Sequence, residues 1–377
     1  MTVHAQTLLV TVADALTTER FRVGKLDSSA YAASGPYPIV DQGQDPIAGY
    51  TDREDLLYEG PLPVVIFGDH TRAVKFVDQR FVAGADGTKV LAPDTTRFDP
   101  LYFYFALKGL DIPSRGYNRH WALLREMTVP RPPLAEQCRI ARILSTILRS
   151  EGATADSLHA VQKLKVAFKR YCLDYPTESG TNVHLRDLDG AIETGPFGSQ
   201  LHASEYERTG IRVLNPIHLC ENGVNPDVEP VYVSEDTASR LSRHRLQKGD
   251  VVVPRRGDLS RYVLVRGDLV GELCGTGSIK VRLNDQRVSP AYFALYYGSE
   301  IAQSYIRDAA TGTIMPNISP RVLEGMPIYL PEREIQDRFV KGWEAIDAIE
   351  RALVLHLKHI GLVFGASLSL LFGDDLS

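Results

Sequence analysis

Catalytic motifs and cysteine pairs are scarce in this 377-residue chain. Its four cysteines, Cys138, Cys172, Cys220 and Cys274, have no paired spacing, which favours a reducing compartment and disfavours a zinc site. The sequence has no P-loop, no Gly-rich loop between a strand and a helix, no H-E-x-x-H motif, no nucleophile elbow and no C-x-x-C pair. An enzymatic function of the chain alone is therefore without support.

Two stretches are similar to a cofactor-binding or a methyltransferase motif, but each lacks one required feature. Residues 98–102 read Phe-Asp-Pro-Leu-Tyr and lack the second proline of the Asn/Asp-Pro-Pro-Tyr/Phe box of amino-methyltransferases. Residues 271–277 are glycine-rich, but a β run follows them where a nucleotide site needs a helix. We therefore expect no cofactor in this chain.

Targeting segments and long apolar runs are also missing from the sequence. Residues 1–10 have no basic flank or cleavage site of a secretory signal. The apolar run 361–372 is too short to span a bilayer, so we expect a buried helix end there and a cytoplasmic protein. A net charge of −5 argues mildly against a general polyanion binder but does not exclude a local basic surface.

Two long amphipathic segments are the main feature that is present. The first, from Pro133 to about Cys172, is predicted to be a helix with Glu136 in its first turn. Its apolar positions have coiled-coil spacing and are Ile140, Leu144, Ile147, Leu158, Val161 and Phe168. The second segment begins at Pro331, and its apolar positions are Phe339, Trp343, Ile346, Leu353, Leu357, Ile360 and Phe364. Several of these positions recur at an offset of 199, so the simplest arrangement is an antiparallel pair.

A β-rich domain precedes each helix, and the two domains repeat the same landmarks. A G-D-x-[T/S]-R run follows a buried strand at 68–72 and again at 257–261. An aromatic helix at 99–107 or 289–297 comes next, and a proline-bounded strand at 127–133 or 326–331 leads into the long helix. We therefore predict an α+β fold in which two β-rich α/β domains are separated by two long antiparallel helices and related by an internal pseudo-two-fold repeat. The predicted domains are residues 1–132 and 176–330, and the predicted long helices are residues 133–175 and 331–377.

Candidate nucleic-acid contacts are concentrated in a basic stretch. Residues 240–266 contain eight Lys or Arg and two Asp or Glu residues. The basic residues expected near strand ends are Arg243, Arg245, Lys248, Arg255, Arg256 and Arg261. Such a patch is typical of a phosphate-binding surface, and a solvated face with scattered ion pairs is the alternative.

Polar loops supply further candidates for DNA binding. The loop 115–120 either contacts phosphates and base edges or packs on its own domain, and the turn 195–200 either offers N–H groups to phosphate or only reverses the chain. Asp69 and Asp258, in the two G-D-x-[T/S]-R runs, are expected to cap a turn or hold their arginine. Besides Arg255, Arg256 and Arg261, the candidate DNA-binding residues are His70, Thr71, Arg72, Arg115, Tyr117, Asn118, Arg119, His120, Ser199, Gln200, His202, Ser260, Thr313 and Asn317.

These motifs resemble the specificity subunit of Type I restriction–modification systems along nearly the whole chain. In the first half the resemblance rests on residues 66–72, 84–88, the Gly116–His120 loop and the Pro-Pro-Leu-Ala-Glu-Gln run at 132–137. In the second half it rests on 195–199, 248–251 and Gly257. The sequence departs from the family pattern at 331–336, where the usual Glu-Gln pair is replaced.

The resemblance implies a DNA-binding protein without catalytic activity of its own. Each domain would be a target-recognition domain that reads one half of a split DNA sequence. The helices would be a spacer and a dock for two modification subunits, which are adenine methyltransferases using S-adenosylmethionine. A restriction subunit using ATP and Mg²⁺ would complete the nuclease. The residues expected to serve partner docking are Glu136, Gln137, Ile140, Ile147, Phe339, Trp343 and Ile346.

Helix length agrees with a spacer of this kind. A helix of 40 residues is about 60 Å long, which corresponds to about 17–18 base pairs. Two alternatives stay open at this stage. One is a coiled-coil scaffold whose lobes bind protein partners, suggested by the acidic net charge, and the other is an enzyme that acts on nucleic acid by itself.

Overall fold

The computed structural model describes residues 8–114, 119–173, 180–310 and 316–372. The chain divides into two compact units. Unit 1 comprises residues 1–156 and 353–377, and unit 2 comprises residues 157–352. Each unit therefore combines one β-rich domain with a part of both long helices, because each helix packs its first part on the domain before it and its last part on the other domain.

Unit 1 is built from short strands, three short helices, the first part of one long helix and the last part of the other. Its strands are β1 (Leu8–Thr11), β2 (Lys25–Leu26), β3 (Tyr37–Val40), β4 (Gly49–Thr51), β5 (Val64–Gly68), β6 (Val74–Val77), β7 (Val82–Gly84), β8 (Thr88–Leu91) and β9 (Thr128–Arg131). Its helices are α1 (Val12–Ala15), α2 (Pro100–Lys108), α3 (Trp121–Leu124), the first part of α4 (Leu134–Leu173) and the last part of α9 (Arg333–Phe372). The strand orders are β1-β9, β2-β7-β3-β4 and β6-β5-β8.

Unit 2 repeats this plan with more irregular structure. Its strands are β10 (Thr181–His184), β11 (Gly190–Thr194), β12 (Ile211–Leu214), β13 (Leu219–Cys220), β14 (Gly223–Val224), β15 (Val231–Val233), β16 (Val251–Pro254), β17 (Val263–Leu264), β18 (Leu273–Cys274), β19 (Ser278–Leu283) and β20 (Pro327–Leu330). Its helices are the last part of α4, α5 (Glu235–Arg240), α6 (Pro290–Tyr297), α7 (Glu300–Ala309), α8 (Pro320–Glu324) and the first part of α9 (Arg333–Phe372). The strand orders are β10-β20, β11-β19-β16-β17, β15-β12-β18 and β13-β14.

The repeated landmarks of the sequence occupy equivalent elements in the two units. Each G-D-x-[T/S]-R run lies in an antiparallel hairpin, β5–β6 in unit 1 and β16–β17 in unit 2. The aromatic helices are α2 and α6, whose tyrosines Tyr102 and Tyr292 each donate a 2.8 Å hydrogen bond to a backbone carbonyl of the following strand, β9 or β20. The predicted duplication of elements is therefore confirmed, and the predicted two-fold relation of the domains stays a prediction.

The two long helices have the predicted positions, and each contains 40 residues. In unit 2 they run antiparallel, since Lys165 forms ion pairs with Asp347 at 2.7 Å and Glu350 at 2.5 Å, while the ring of Phe168 lies beside Gly342. In unit 1, Leu144 on α4 and Phe364 and Phe372 on α9 belong to one hydrophobic core with α2. Phe372 is buried and packs edge-on against Tyr102 at a centroid distance of 5.4 Å. The rest of the apolar run 361–372 is half-buried or exposed, with Leu362, Val363 and Leu370 more than half exposed, so the expected burial of this helix end is correct for its last residue and wrong for most of the run.

A fully buried glutamine joins the start of each long helix to the aromatic helix of the same unit. In unit 1, Gln137 accepts a 2.9 Å hydrogen bond from the N–H of Asp99 and donates to the carbonyls of Arg97 and Pro132. In unit 2 the equivalent residue, Gln336, accepts from the N–H of Ser289 at 2.8 Å and donates to the carbonyls of residues 287 and 331. The sequence indicated that the Glu-Gln pair is replaced at 331–336. The glutamate is replaced, by Ile335, but the glutamine and its hydrogen bonds are retained.

Candidate nucleic-acid interface

The ends of three neighbouring strands form an open surface on unit 2. Antiparallel pairing of β19 with β11 and with β16 places Thr194 opposite Ile279 and Pro254 opposite Ser278, so the turns after β11 and β16 and the turn before β19 meet at one end of the sheet. A cavity of about 270 Å³ lies among them. Its lining residues are 194–198, 255, 256, 276–278 and 317. Of the predicted candidates, the cavity brings together Arg255, Arg256 and Asn317, with the first part of the 195–200 turn beside them, whereas Ser199, Gln200 and His202 do not line it.

The turn after β11 presents an aromatic ring next to an arginine. Phe197 is 54% exposed, and the guanidinium carbon of Arg255 lies 5.8 Å from its ring centroid. Gln200 holds the turn, because its side-chain oxygen accepts from the N–H of Phe197 at 3.1 Å and its N–H donates to the Phe197 carbonyl at 2.8 Å. The role of Gln200 is therefore to shape the turn, whereas Ser199 and His202 are exposed beside it.

Arg256 separates the first cavity from a second one of about 430 Å³. The second cavity is also lined by Ile217, which is 59% exposed. Across the described parts of the chain, the Arg256 guanidinium has no carboxylate partner. Sequence reasoning missed Phe197 and Ile217 as site residues, although a glycine on each side of the Pro196–Phe197 pair was a usable signal.

Most of the predicted basic patch is neutralised by carboxylates. Arg240, Arg243, Arg245 and Arg266 form ion pairs with Glu205, Glu193, Glu235 and Glu344 respectively. Burial alone would raise the pKa of Glu193, but the ammonium of Lys280 at 3.0 Å and the Arg243 side chain hold it below its ordinary value. Fewer basic side chains of this stretch are therefore available to phosphate than the sequence predicted, and those without a carboxylate partner are centred on Arg255 and Arg256.

The second G-D-x-[T/S]-R run forms a closed turn. Asp258 accepts from the N–H of Ser260 at 3.2 Å, from its hydroxyl at 2.6 Å and from the Nε of Arg261 at 2.9 Å. Burial opposes ionisation of Asp258, but these hydrogen bonds lower its pKa. The predicted structural role of the aspartate is confirmed. Arg261 uses two of its five N–H donors on Asp258 and the Leu219 carbonyl, and its predicted DNA contact stays a prediction.

The corresponding run of unit 1 is also occupied by internal contacts. Asp69 is buried and accepts from the N–H of Trp121 at 2.7 Å, so its expected structural role is confirmed with a different partner. His120 is fully buried with Nδ1 2.9 Å from the Asp69 carbonyl. Arg72 has φ 62° and donates to the Ile112 carbonyl at 2.7 Å, and Thr71 donates to the Gln42 carbonyl. The burial of His120 contradicts its predicted DNA contact. The predicted contacts of the half-buried Thr71 and the exposed Arg72 stay predictions.

Some predicted contacts keep their status as predictions. Arg115, Tyr117, Asn118 and Thr313 lie outside the described residues. Arg119 is exposed, and Asn317 is exposed beside Arg256, with which it forms an isolated β-bridge. Ser260 is exposed, and the backbone N–H of His70 donates to Gln42.

The residues predicted to dock partners on the helices are mostly interior. Gln137 is fully buried, and Ile140, Trp343 and Ile346 are at most 8% exposed. Ile147 and Phe339 are half-buried in the cores of units 1 and 2, and Glu136 forms an ion pair with Arg139. These side chains hold the helices on their own domains, so docking by the buried four is wrong. The apolar side chains that remain more than half exposed on α4 and α9 are Leu164, Val166, Tyr171, Ile349, Val354, Leu355, Leu362, Val363 and Leu370.

Helix α9 also satisfies the length and composition of a membrane span. An 18-residue window has a mean hydropathy of 1.5 and is 6% buried. One such helix is weak evidence, because helices covered by protein meet the same criteria. The residues that the structure describes contain no cluster of three or more His, Cys, Asp or Glu side chains able to hold a metal ion.

Two buried histidines beside the interface predict a pH-dependent stability of unit 2. Burial lowers the pKa of His218 and of His244, and His218 accepts a 3.1 Å hydrogen bond from the N–H of Asn215, which lines the second cavity. Because both groups bind protons more weakly when folded, stability is complete above the unfolded pKa of about 6.5 and is lost as the pH falls below it.

Urea unfolding at about pH 7.5 and about pH 5.5 measures this effect. We expect a lower midpoint for the more acidic sample, and a smaller difference for a His244→Asn variant. A midpoint that rises on acidification contradicts the prediction.

Comparisons with known proteins agree on one family. No family model matches the chain. The specificity subunit of the Type I restriction enzyme EcoR124I/EcoR124II from Escherichia coli is 22% identical over 340 residues, which are 84% of this chain and 80% of that protein.

Solved structures match over the whole length. The S subunit of a Type I restriction–modification system from M. genitalium has a TM-score of 0.66 and 15% identity, covering 99% of this chain and 98% of that one. A chain from a structure concerned with complex assembly and conformational transition of the type I R-M system has a TM-score of 0.53 and 13% identity, with 98% of both chains covered. The chain is therefore a relative of the specificity subunits of Type I restriction–modification systems, in sequence and in the fold of its whole length.

Proposed function

We propose that this chain is the DNA-binding specificity subunit of a Type I restriction–modification complex and that each unit reads one half of a bipartite, asymmetric DNA site. The observation that carries the proposal is the edge of unit 2, where Arg255 and Arg256 lie with the exposed Phe197 around an open cavity. Arginines that remain without carboxylate partners suit phosphates and base edges, and exposed apolar side chains suit thymine methyl groups and base faces.

Differences between the two units support an asymmetric target. In unit 2 the residues before the G-D-x-[T/S]-R run are Arg255 and Arg256, whereas in unit 1 the matching positions are the buried Ile66 and Phe67. Since the two units have equivalent secondary-structure elements but different exposed side chains, they would select different base sequences. Two unlike half-sites joined by a spacer are the expected target.

The long helices would serve as the spacer and as the partner dock. Each is about 60 Å long at 1.5 Å per residue, enough to separate two half-sites by a helical turn or more. The exposed apolar residues of α9, such as Val354, Leu362 and Leu370, would be covered by modification subunits. The methyl transfer with S-adenosylmethionine and the ATP- and Mg²⁺-dependent cleavage would belong to the modification and restriction subunits, in a cytoplasmic complex.

Selection from a random DNA pool tests the proposal. The full chain would be incubated with its modification subunits, and bound DNA would be sequenced. We expect one split sequence with a fixed spacer, and methylated adenines at the same sites in a host that carries the system. Failure to enrich any split sequence would contradict the proposed function, as would robust cleavage or methyl transfer by the purified chain alone.

Exchange of one domain tests whether the units read independently. Residues 180–330 would be replaced by the corresponding domain of a related subunit with another target. We expect one half of the selected sequence to change and the other half and the spacer to stay, because each unit has its own core. Exchange of residues 1–132 is the matched control and should change the opposite half. A change in both halves from either exchange contradicts independent reading.

A protein-binding scaffold is the second candidate function. The exposed apolar side chains of α9 and the net charge of −5 favour it. Under this alternative, the chain would assemble with protein partners and enrich no DNA sequence from the random pool.

A further inference from the structure

We infer that Arg256 reads a guanine in the major groove of the half-site bound by unit 2, with Phe197 and Ile217 contacting the neighbouring bases. This inference rests on the proposed function and adds to it the residue that determines specificity. Three observations carry it: the unpaired guanidinium of Arg256, the surface on which its stem lies, and the exposed apolar side chains on the two cavities that it lines.

The guanidinium of Arg256 differs from those around it. Arg261 is held by two hydrogen bonds, from its Nε to Asp258 and from a terminal nitrogen to the Leu219 carbonyl, and Arg255 lies against the Phe197 ring. Arg256 is exposed, and within the described ranges no carboxylate or carbonyl accepts from its side chain. Its planar set of five N–H donors is therefore available to a ligand.

The local backbone holds Arg256 at the sheet edge. Residues 255 and 257 are fixed on either side, since the Arg255 N–H donates to the Gly277 carbonyl at 2.7 Å and the Gly257 N–H donates to the Pro316 carbonyl at 3.1 Å. A Cβ on Gly277 would lie 3.3 Å from the Nε of Arg256 and 3.4 Å from the Cγ of Pro216. The aliphatic part of the Arg256 side chain thus lies over Gly277, which has φ +84°, and the backbone on both sides of Arg256 is held by hydrogen bonds.

The apolar flanks favour a base edge over a phosphate. Phe197 lines the cavity on one side of Arg256 and Ile217 the cavity on the other, and both side chains are more than half exposed. Phosphates are surrounded by water and counterions, whereas base edges in the major groove present thymine methyl groups beside hydrogen-bonding atoms. Guanine offers two acceptors, O6 and N7, that match the arginine fork, and this is the commonest specific contact of arginine.

Base preferences of three variants test the inference. The full chain, together with its modification subunits, would be titrated against its selected site and against every single-base change of that site. For Arg256→Ala we expect discrimination at one guanine of one half-site to fall by about 10- to 100-fold, with the other positions unchanged. Arg256→Lys should lose the same discrimination, because an ammonium lacks the planar fork. Arg243→Ala is the control, since that side chain is 66% exposed in the same unit, and it should weaken all sequences alike or not at all.

Each result decides the inference. A uniform loss of affinity across all sequences for Arg256→Ala, or full retention of specificity by Arg256→Lys, would show a phosphate contact and overturn the assignment. An unfolding midpoint of each variant equal to that of the parent chain excludes misfolding as the cause. If the parent chain selects no split sequence, the proposed function fails and the inference fails with it. If the parent chain selects a split sequence but the Arg256 variants give the results expected of a phosphate contact, the proposed function is retained and the inference about Arg256 fails.

Discussion

Replacement of Gln137 by leucine is expected to lower the free energy of unfolding of unit 1 by about 3 kcal/mol. The side chain of Gln137 is fully buried and makes three hydrogen bonds to backbone groups of residues 97, 99 and 132. Leucine has a similar volume but leaves one N–H and two carbonyls without partners in the interior, and each unsatisfied group costs about 1–3 kcal/mol. The loss also frees the first turn of α4 from α2, the helix that contributes most of the aromatic core.

Two further variants separate hydrogen bonding from packing at this position. Gln137→Glu keeps the shape but cannot donate to the two carbonyls, so we expect a loss at least as large as that of the leucine variant. Gln79→Leu, at an exposed position of unit 1, is the matched control and should change stability by no more than about 0.5 kcal/mol. Denaturant unfolding followed by the fluorescence of Trp121 in unit 1 measures all three. A cost below about 0.5 kcal/mol for Gln137→Leu would contradict the assigned role.

Replacement of Trp343 by alanine is expected to destabilise unit 2 by about 3–5 kcal/mol. Trp343 is 4% exposed and belongs to the main core of unit 2, together with residues of α6 and β20. The ammonium groups of Lys165 and Lys169 lie 5.0 and 5.8 Å from its ring centroid, so the ring also stabilises the cations that join α4 to α9 within the unit. Alanine removes the packing and the cation–π contacts together.

The same helix provides the control for Trp343. Ile349 is 52% exposed in unit 2, and Ile349→Ala should alter stability by no more than about 0.5 kcal/mol. Trp343→Phe keeps an aromatic face and should cost less than Trp343→Ala. Calorimetry measures the unfolding of the variants, and the remaining tryptophan, Trp121, reports on unit 1. If Trp343→Ala unfolds like the parent chain, the core position assigned to this ring is incorrect.

Repetition was the property that sequence reasoning captured best. The offset of 199 that pairs Ile140 with Phe339 also pairs Gln137 with Gln336, and both glutamines have the same hydrogen-bonding role. Buried strands, aromatic helices and long amphipathic helices are each specified by residues close together in the chain. Local periodicity and local proline or glycine signals therefore predicted them within a few residues.

Charge pairing was the property that sequence reasoning could not resolve. The partners of the basic stretch come from distant elements, such as Glu193 for Arg243, Glu205 for Arg240 and Glu344 for Arg266. A count of charges in one window does not include them, so the predicted patch was too wide. The burial of His120 against Asp69, 51 positions away, escaped prediction for the same reason.

The amino-acid sequence alone determined the duplicated order of elements, the two 40-residue helices and the absence of familiar catalytic motifs, because these depend on residue types at short spacing. Tertiary structure decided which polar side chains remain available. It closed the Asp258–Arg261 turn, buried Gln137 and Gln336, and left Arg256 between two cavities. The physical reason is that a side chain's availability to a ligand depends on neighbours brought close by long-range strand pairing and core packing.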